Sequence, residues 1–297
     1  MQDLVSLYRE RLNLPNAQFS PIEHDDAMVA TVFKITEPNG TQLILKICSR
    51  RGDYEREAYF LDRFKDDLPV PRIIQLVEPE AQMDGAVLME CLPGELLKPA
   101  DLTSQLTYEI GSFLARIHFD RVQGYGDLTQ PEHLQADPRM HFTLKFEEGL
   151  EECKDHLPTN LLKKCREYFT QHVDVLLTAD GPSVIHRDFR PGNLIVHDGE
   201  LQGIIDWSSA RGGFAEEDFC PLEFGEWSTN STYKDAFLAG YGSIRKVPHF
   251  QAMMPLLRLS RAIATIGFTV KRDMWKGKGS KIYQFNRQYL ESFFFQA

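Results

Sequence analysis

Short runs of apolar and β-branched residues in the first third of the chain predict two β-hairpins. Residues 29–36 (VATVFKIT) and 41–48 (TQLILKIC) flank the turn sequence EPNG, which is typical of a hairpin connection. Residues 72–77 and 86–91 form a second pair of apolar runs around MDG. We therefore expect a small β-rich region at the start of the chain.

The pattern changes to helical spacing between and after these hairpins. Residues 53–64 (DYEREAYFLDRF) have apolar side chains on one helical face, with Asp53 as the expected N-cap. Residues 103–119 and most of 150–177 also predict helix, and the chain is again mainly helical from Tyr233 onward.

These elements predict an α+β fold with two lobes. Residues 1–91 form a small β-rich lobe with one helix, residues 92–95 (LPGE) a hinge, and residues 96–297 a larger, mainly helical lobe. A length of 297 residues is long for one compact core and suits this division.

Composition narrows the class of protein. A hydrophobic content of 42% and a charged content of 26% are ordinary for a globular protein. We find no apolar run of about 18 residues, so we expect no membrane span. The five cysteines are scattered without a CxxC pair, which favours reduced thiols and a cytoplasmic protein. The net charge of −10 argues against nucleic acid as the main ligand.

The stretch HRDFRPGNLIVHDGELQGIIDW (186–207) contains the strongest candidate chemistry. Its DG is the preferred turn of a two-residue hairpin, which would set position 194 opposite 203 and position 193 near 204. Asn193 and Asp206 would then leave the two strands at the same end. Asp188 precedes Asn193 across a Pro-Gly bend and can face the same point. Three oxygen-bearing side chains at one place suit a hard cation such as Mg²⁺.

HRDFRPGN followed by IIDW resembles the catalytic stretch of the aminoglycoside phosphotransferase family, which typically reads HGDxxxxN and then two apolar residues and Asp. The resemblance covers about residues 29–218. It implies a protein-kinase-like fold and transfer of the γ-phosphate of ATP, with Mg²⁺, to a hydroxyl group. In that fold a strand lysine holds the nucleotide phosphates and a helix glutamate orients it. Lys46 fits the lysine, and of Glu55 and Glu57 the family pattern favours Glu57.

The resemblance also implies roles for the residues before the hinge. LMECLPG (88–94) is similar to the adenine-binding segment of the family. The carbonyl of Glu90 and the amide of Leu92 would bind adenine, and Met89 would line its pocket.

In the catalytic stretch, the resemblance makes Asp188 the catalytic aspartate, which orients the acceptor hydroxyl and accepts its proton. Asn193 and Asp206 would bind Mg²⁺, and His186 would support the loop through hydrogen bonds. Arg187 replaces the glycine common in the family, and no role can be assigned to it from the sequence.

The first-hairpin loop departs from the family pattern, because EHDDAMVATVF (23–33) contains no glycine. Glycine suits the close approach of backbone to phosphate. The loop is therefore expected to cover the phosphates less closely or to be ordered differently. A non-catalytic nucleotide-binding relative is accordingly the main alternative function.

The segment after the hairpin favours a small acceptor. Only eleven residues separate Asp206 from Asp218, and no APE motif follows, whereas a protein kinase has a longer activation segment here. A protein kinase is therefore the weaker alternative. We expect Asp218 to brace the catalytic loop.

Charge is uneven in the second lobe. Glutamates follow the metal aspartate and would favour a cationic acceptor such as an aminoglycoside, or form a solvated face; they are Glu216, Glu217, Glu223 and Glu226. Residues 255–297 contain eight Lys or Arg against two Asp or Glu. That basic segment could balance the acidic residues within the fold or meet an anionic partner.

Overall fold

A computed structural model describes residues 2–22, 30–223, 227 and 230–294. Its N-terminal part is an antiparallel five-stranded sheet with strand order β1-β2-β3-β5-β4. The elements of this part are α1 (Gln2–Arg11), β1 (Gln18–Pro21), β2 (Ala30–Thr36), β3 (Gln42–Cys48), α2 (Arg51–Phe64), β4 (Ile73–Val77) and β5 (Gly85–Glu90).

Both predicted N-terminal hairpins are present, β2 with β3 and β4 with β5. The predicted position 29 lies outside the described residues. The prediction of a single helix in this part was wrong, because α1 packs Tyr8 against the sheet and was missed.

The prediction of Asp53 as the N-cap of α2 was also wrong. Arg50 is at the N-cap, and Asp53 lies in the first turn, where it accepts a 2.6 Å hydrogen bond from Arg56.

The alternation of side chains along β3 separates the core of the sheet from a cavity. Leu45 and Ile47 point to the face that packs with α1. Ile44 and Lys46, one position out of phase, line the cavity on the other face. A lysine in an otherwise apolar strand is thus placed at the cavity by the two-residue period alone.

The C-terminal part is mainly helical with short strands. Its elements are β6 (Glu95–Leu96), α3 (Ser104–Phe119), α4 (Pro138–Cys153), α5 (Thr159–His172), β7 (Ser183–Ile185), β8 (Leu194–His197), β9 (Glu200–Ile204), β10 (Arg211–Gly213), α6 (Cys220–Glu223), α7 (Ser231–Gly242), α8 (Met254–Lys271) and α9 (Ser280–Phe293). The helix predicted over 150–177 is divided between α4, α5 and a 3-10 turn at Val173–Thr178. Pro158, which cannot donate a backbone hydrogen bond, stands at the break.

The predicted β8–β9 hairpin has a different register. Asp198 and Gly199 have φ angles of 50° and 80°, as the DG turn requires. The strands nevertheless pair Leu194 with Ile204 rather than with position 203, because a bulge opposite Ile195 and Val196 leaves Gln202 of β9 as an extra, unpaired residue. The Asn193 carbonyl therefore accepts from the amide of Ile205 at 3.0 Å.

One apolar core connects the two parts of the chain. On α2, Phe60 and Phe64 pack on Trp207, with ring centroids 6.0 and 5.0 Å apart. The fold is therefore α+β, with a β-sheet region and a helical region joined through buried aromatic rings. Among the described helices, none has the length and apolar character that crossing a bilayer requires.

Two glycines allow α3 and α7 to approach closely. A Cβ atom at Gly240 would lie 1.8 Å from the carbonyl oxygen of Tyr108, and one at Gly111 would lie 2.1 Å from that of Phe237. Backbone atoms cannot move aside as a side chain can, so each contact requires glycine.

We expect Gly240→Ala to lower the free energy of unfolding by roughly 1–3 kcal/mol, because the added methyl group overpacks this helix contact. Thermal or urea unfolding measures the effect. Gly242→Ala in the same helix is the matched control, since its Cβ would meet only Val247, at 3.9 Å. Equal stability of the two variants would contradict this account.

Candidate active site

A cavity of about 1270 Å³ lies between the sheet and the β8–β9 hairpin. The cavity is lined by all the residues that the sequence predicts for nucleotide, metal and catalysis, namely Lys46, Glu57, Met89, Glu90, Leu92, Asp188, Asn193 and Asp206. These residues come from the sheet, from α2, from the segment after β5 and from both ends of the hairpin. The fold therefore places them around one space.

Lys46 joins three of these elements. Its Nζ donates to Glu57 Oε2 on α2 and to Asp206 Oδ1 after β9, each at 2.7 Å. Glu55, the alternative partner, instead accepts from Arg51 at the surface. Burial acts to lower the pKa of Lys46, but the two carboxylates outweigh it, and the net pKa is raised. The amine is therefore firmly cationic, as a phosphate-binding group must be.

The same contact lowers the pKa of Asp206. Burial acts to raise this pKa, but the ion pair with Lys46 and a 2.8 Å hydrogen bond from Ser208 Oγ hold it below its usual range. Asp206 adopts a left-handed conformation, with φ 64°. Its carboxylate is therefore ionised and fixed at the end of β9.

Hydrogen bonds within the loop hold Asp188 in place. Asn193 Nδ2 donates to the Asp188 carbonyl and to Asp188 Oδ2, both at 2.8 Å. Arg190 Nε lies 3.2 Å from each carboxylate oxygen. His186 supports the loop as predicted: Nε2 is 3.1 Å from the Ile205 carbonyl, and the Asp188 amide donates to Nδ1 at 3.3 Å.

Asp218 braces the loop from behind, as expected. Its carboxylate accepts from the amides of His186 and Arg187 at 2.7 and 2.6 Å. His118 Nε2 lies 3.1 Å away, and His118 Nδ1 is 2.9 Å from the Tyr241 hydroxyl. Burial lowers the pKa of His118, so a neutral ring joins the two groups.

His118 and Tyr241 were not predicted from the sequence. The available signal was that His118 lies on the apolar face of the predicted helix 103–119, four positions after Leu114. A histidine buried there requires polar partners from other elements.

The residues predicted for adenine binding meet the cavity at the end of β5. Met89 is buried, and the Glu90 carboxylate accepts from the Arg72 amide at 3.1 Å. The Leu92 side chain packs over Gly203, where a Cβ would lie 2.2 Å from Leu92 Cδ1. The segment after β5 thus lies directly against the catalytic hairpin.

The three predicted glutamates that the structure describes do not form an acceptor site together. Glu216 is buried, and both carboxylate oxygens lie 3.1 Å from the Asp180 amide. Glu223 pairs with Lys234. Of the three described glutamates, only Glu217 lines the cavity. Its Oε2 accepts a hydrogen bond from Arg211 Nη2 at 2.7 Å. Glu226 lies outside the described residues, as do residues 23–29 of the glycine-free loop. The prediction of a shared cationic-acceptor surface is corrected accordingly, because burial and ion pairing use these carboxylates elsewhere.

Arg187 has a φ of 67°, in the left-handed region that favours glycine. This conformation follows from the turn that presents two successive amides to Asp218. It explains why glycine is suited to this position and why arginine is unusual there.

The lysine–glutamate pair, the loop aspartate and the hairpin are the parts of a protein-kinase-like phosphotransferase. The Phosphotransferase enzyme family (APH) matches residues 22–256, and the chain belongs to that family. No curated protein matches the chain.

Solved structures of similar fold extend over nearly the whole chain. A thermostable mutant of aminoglycoside phosphotransferase APH(4)-Ia, in a ternary complex with AMP-PNP and hygromycin B, has a TM-score of 0.73 at 12% identity, covering 98% of this chain and 97% of that one. ADP-bound APH(2'')-Ib has a TM-score of 0.66 at 16% identity, covering 97% and 98%. The gentamicin complex of APH(2'')-IIa has a TM-score of 0.68 at 16% identity, covering 97% and 95%. At these identities the likeness establishes the fold.

The buried position of Glu216 predicts a pH dependence of stability. Burial raises the pKa of Glu216 to about 7. Its contribution to stability is present below the ordinary glutamate pKa of about 4.3 and is lost as the pH rises through 7. Between pH 5 and pH 8, wild type should therefore lose roughly 1–3 kcal/mol more than Glu216→Gln. Urea unfolding at several pH values measures this, and identical pH slopes would show that Glu216 titrates normally.

Proposed function

We propose that this protein transfers the γ-phosphate of ATP, with Mg²⁺, to a hydroxyl group of a small molecule. The observation that carries the proposal is the convergence of Lys46, Asp188 and Asp206 on one cavity. The division into residues 1–91, a hinge at 92–95 and residues 96–297 belongs to the same proposal. The five cysteines are free thiols, which suits a reducing, cytoplasmic setting.

Nucleotide would lie between the sheet and the hairpin. Lys46, oriented by Glu57, would bind the α- and β-phosphates, while Met89, Glu90 and Leu92 would surround adenine. Family structures with AMP-PNP or ADP support this assignment.

Asn193 and Asp206 would hold Mg²⁺. Asn193 uses Nδ2 to bind Asp188 and so offers its amide oxygen, and Asp206 offers an ionised carboxylate. Among the described residues, no three His, Cys, Asp or Glu side chains gather as a metal site. Two protein oxygens fit a cation whose other ligands are water and phosphate. When bound, Mg²⁺ would offset the charge of the ATP phosphates.

Asp188 would orient the acceptor hydroxyl and take its proton. A loose transition state requires little activation of the hydroxyl, so the fixed position of the carboxylate matters more than its basicity. Asn193, Arg190 and the amides braced by Asp218 supply that fixed position.

A small acceptor fits the segment after Asp206 better than a protein. Residues 210–222 are all buried. Strand β10 in this segment pairs with β7, and Asp218 lies beneath the catalytic loop. This segment therefore presents no exposed platform for a peptide. Hygromycin B and gentamicin, bound by the family structures, make aminoglycosides one acceptor class to test.

Asp188→Asn should lower kcat for phosphoryl transfer by roughly 10²- to 10⁴-fold, because the hydroxyl proton loses its acceptor. A coupled ADP-release assay over an acceptor panel measures transfer, and calorimetry measures the affinity for Mg·AMP-PNP, which should change little. Asp198→Asn, the same substitution at the exposed hairpin turn, is the control and should retain activity. Full turnover by Asp188→Asn would refute the mechanism, and failure of wild type to bind Mg·AMP-PNP would refute the function.

A further inference from the structure

Three arginines from different elements meet beside Asp188 on the cavity wall. They are Arg187 in the catalytic loop, Arg211 on β10 and Arg261 on α8. Arg261 Nη2 is 3.7 Å from Asp188 Oδ1, and Arg261 Nη1 is 3.4 Å from the Arg187 carbonyl. Arg211 Nη2 and Arg187 Nε approach the same Glu217 oxygen, at 2.7 and 3.6 Å. We name these three residues the arginine cluster.

The wall that carries the cluster is cationic. Between Phe142 and Asn286, the charged residues that line the cavity are Lys145, Arg187, Arg190, Arg211 and Arg261 against Asp188, Asp206 and Glu217. Asp206 is already paired with Lys46 from the sheet, and Lys145 with Glu148, which leaves four arginines against Asp188 and Glu217. Cationic side chains therefore predominate where the acceptor must approach Asp188, which opposes a polycationic acceptor and favours an anionic one.

Arg187 keeps its charge under unfavourable conditions. Its left-handed φ of 67° would suit glycine better. The neighbouring Arg211 guanidinium, then burial, lower the pKa of Arg187 to about 10, which still leaves it cationic at neutral pH. Strained backbone and crowded like charges are features that persist at functional sites. A bound anion would relieve the repulsion between the arginines.

Arg211 is a positioned donor. It is 6% exposed, with Nη1 placed 2.9 Å from His141 Nε2 and Nη2 donating to Glu217. Burial, and then the Arg211 charge, lower the pKa of His141 to about 3, so the neutral ring accepts from the guanidinium. The Arg211 Nε is buried without a hydrogen-bond partner among the described residues. A buried donor of this kind is costly unless something else binds it.

Resting on the proposed function, we propose that the acceptor is an anionic alcohol whose carboxylate or phosphate group is bound by the arginine cluster. Guanidinium groups match both anions in shape and charge. With the anion held there, the hydroxyl of the same molecule meets Asp188.

The hydroxyl oxygen forms a bond to the γ-phosphorus, and the bond from that phosphorus to the β–γ bridging oxygen breaks. ADP leaves with the electron pair, and the hydroxyl proton passes to Asp188. The product is a phosphate ester that keeps the original anionic group.

Calorimetry on the full chain saturated with Mg·AMP-PNP tests the proposal, since the analogue fills the γ-phosphate position. The probes are glycerate and glycerol 3-phosphate, which separate carboxylate from phosphate recognition, with neutral glycerol and cationic gentamicin for comparison. At least one anionic probe should bind about 10-fold or more tightly than glycerol and gentamicin. Equal binding of all probes, or tightest binding of gentamicin, would overturn the inference.

Variants assign that binding to the cluster. Arg187→Gly suits the backbone, and Arg261→Met removes one charge. Each should weaken binding of the anionic probe by roughly 10- to 100-fold, the loss expected for one charge-assisted hydrogen bond. Arg166→Met is the matched control at an exposed arginine paired with Glu147, and it should bind within about two-fold of wild type. Thermal unfolding without ligands verifies that each variant folds.

The affinity for Mg·AMP-PNP alone distinguishes a failure of the proposed function from a failure of the anionic-acceptor proposal. If wild type does not bind the analogue, the proposed function fails. If wild type binds it but Arg187→Gly and Arg261→Met leave anion binding unchanged, only the anionic acceptor is excluded. If the two variants instead weaken Mg·AMP-PNP binding itself, the cluster serves the nucleotide and the inference is overturned.

Discussion

The active-site cavity depends on the two hydrogen bonds of the Lys46 ammonium group. One goes to Glu57 on α2, on the cavity face of the sheet, and the other to Asp206 after β9. Since Lys46 and Glu57 are buried, removing the amine would leave a carboxylate without its partner in a poorly solvated place. The packing of Phe60 and Phe64 on Trp207 holds the same elements together without charge. The ionic and the apolar contacts thus hold the sheet against the β8–β9 hairpin.

A second set of contacts orients the loop that carries Asp188. Asp218 receives two consecutive backbone amides, which forces Arg187 into a left-handed conformation and sets the direction of Asp188. His118 and Tyr241 bring helices α3 and α7 into this network. The two helices approach closely because glycines stand at their contact. The packing of α3 against α7 therefore also sets the geometry of the loop that carries Asp188.

Much of this arrangement could be predicted, and the failures have physical causes. The hairpins and the DG turn depend on local conformational preferences, so their signals are readable in short windows. Lys46 and Glu57 were predicted to pair by resemblance, and they do. The bulge after Ile195 shifted the hairpin register, and no turn rule reports such an inserted residue. Helix α1 was missed because its apolar periodicity is weak. The break at Pro158 was missed because a single proline is a small signal within a long helical pattern.

The amino-acid sequence alone indicates the candidate chemistry: a lysine on a strand, an aspartate before a Pro-Gly bend, and an asparagine and an aspartate joined by a short hairpin. The charge of the cavity wall beside Asp188 depends instead on the tertiary packing. From the sequence, Glu216 and Glu217 would contact a cationic acceptor or form a solvated face, yet both are buried, and Glu217 pairs with Arg211. Arg187 and Arg261 are 74 residues apart, and only the packing of α8 brings them together. Local sequence patterns predict helices and strands, whereas the net charge of a surface depends on which residues, distant in sequence, are brought together there.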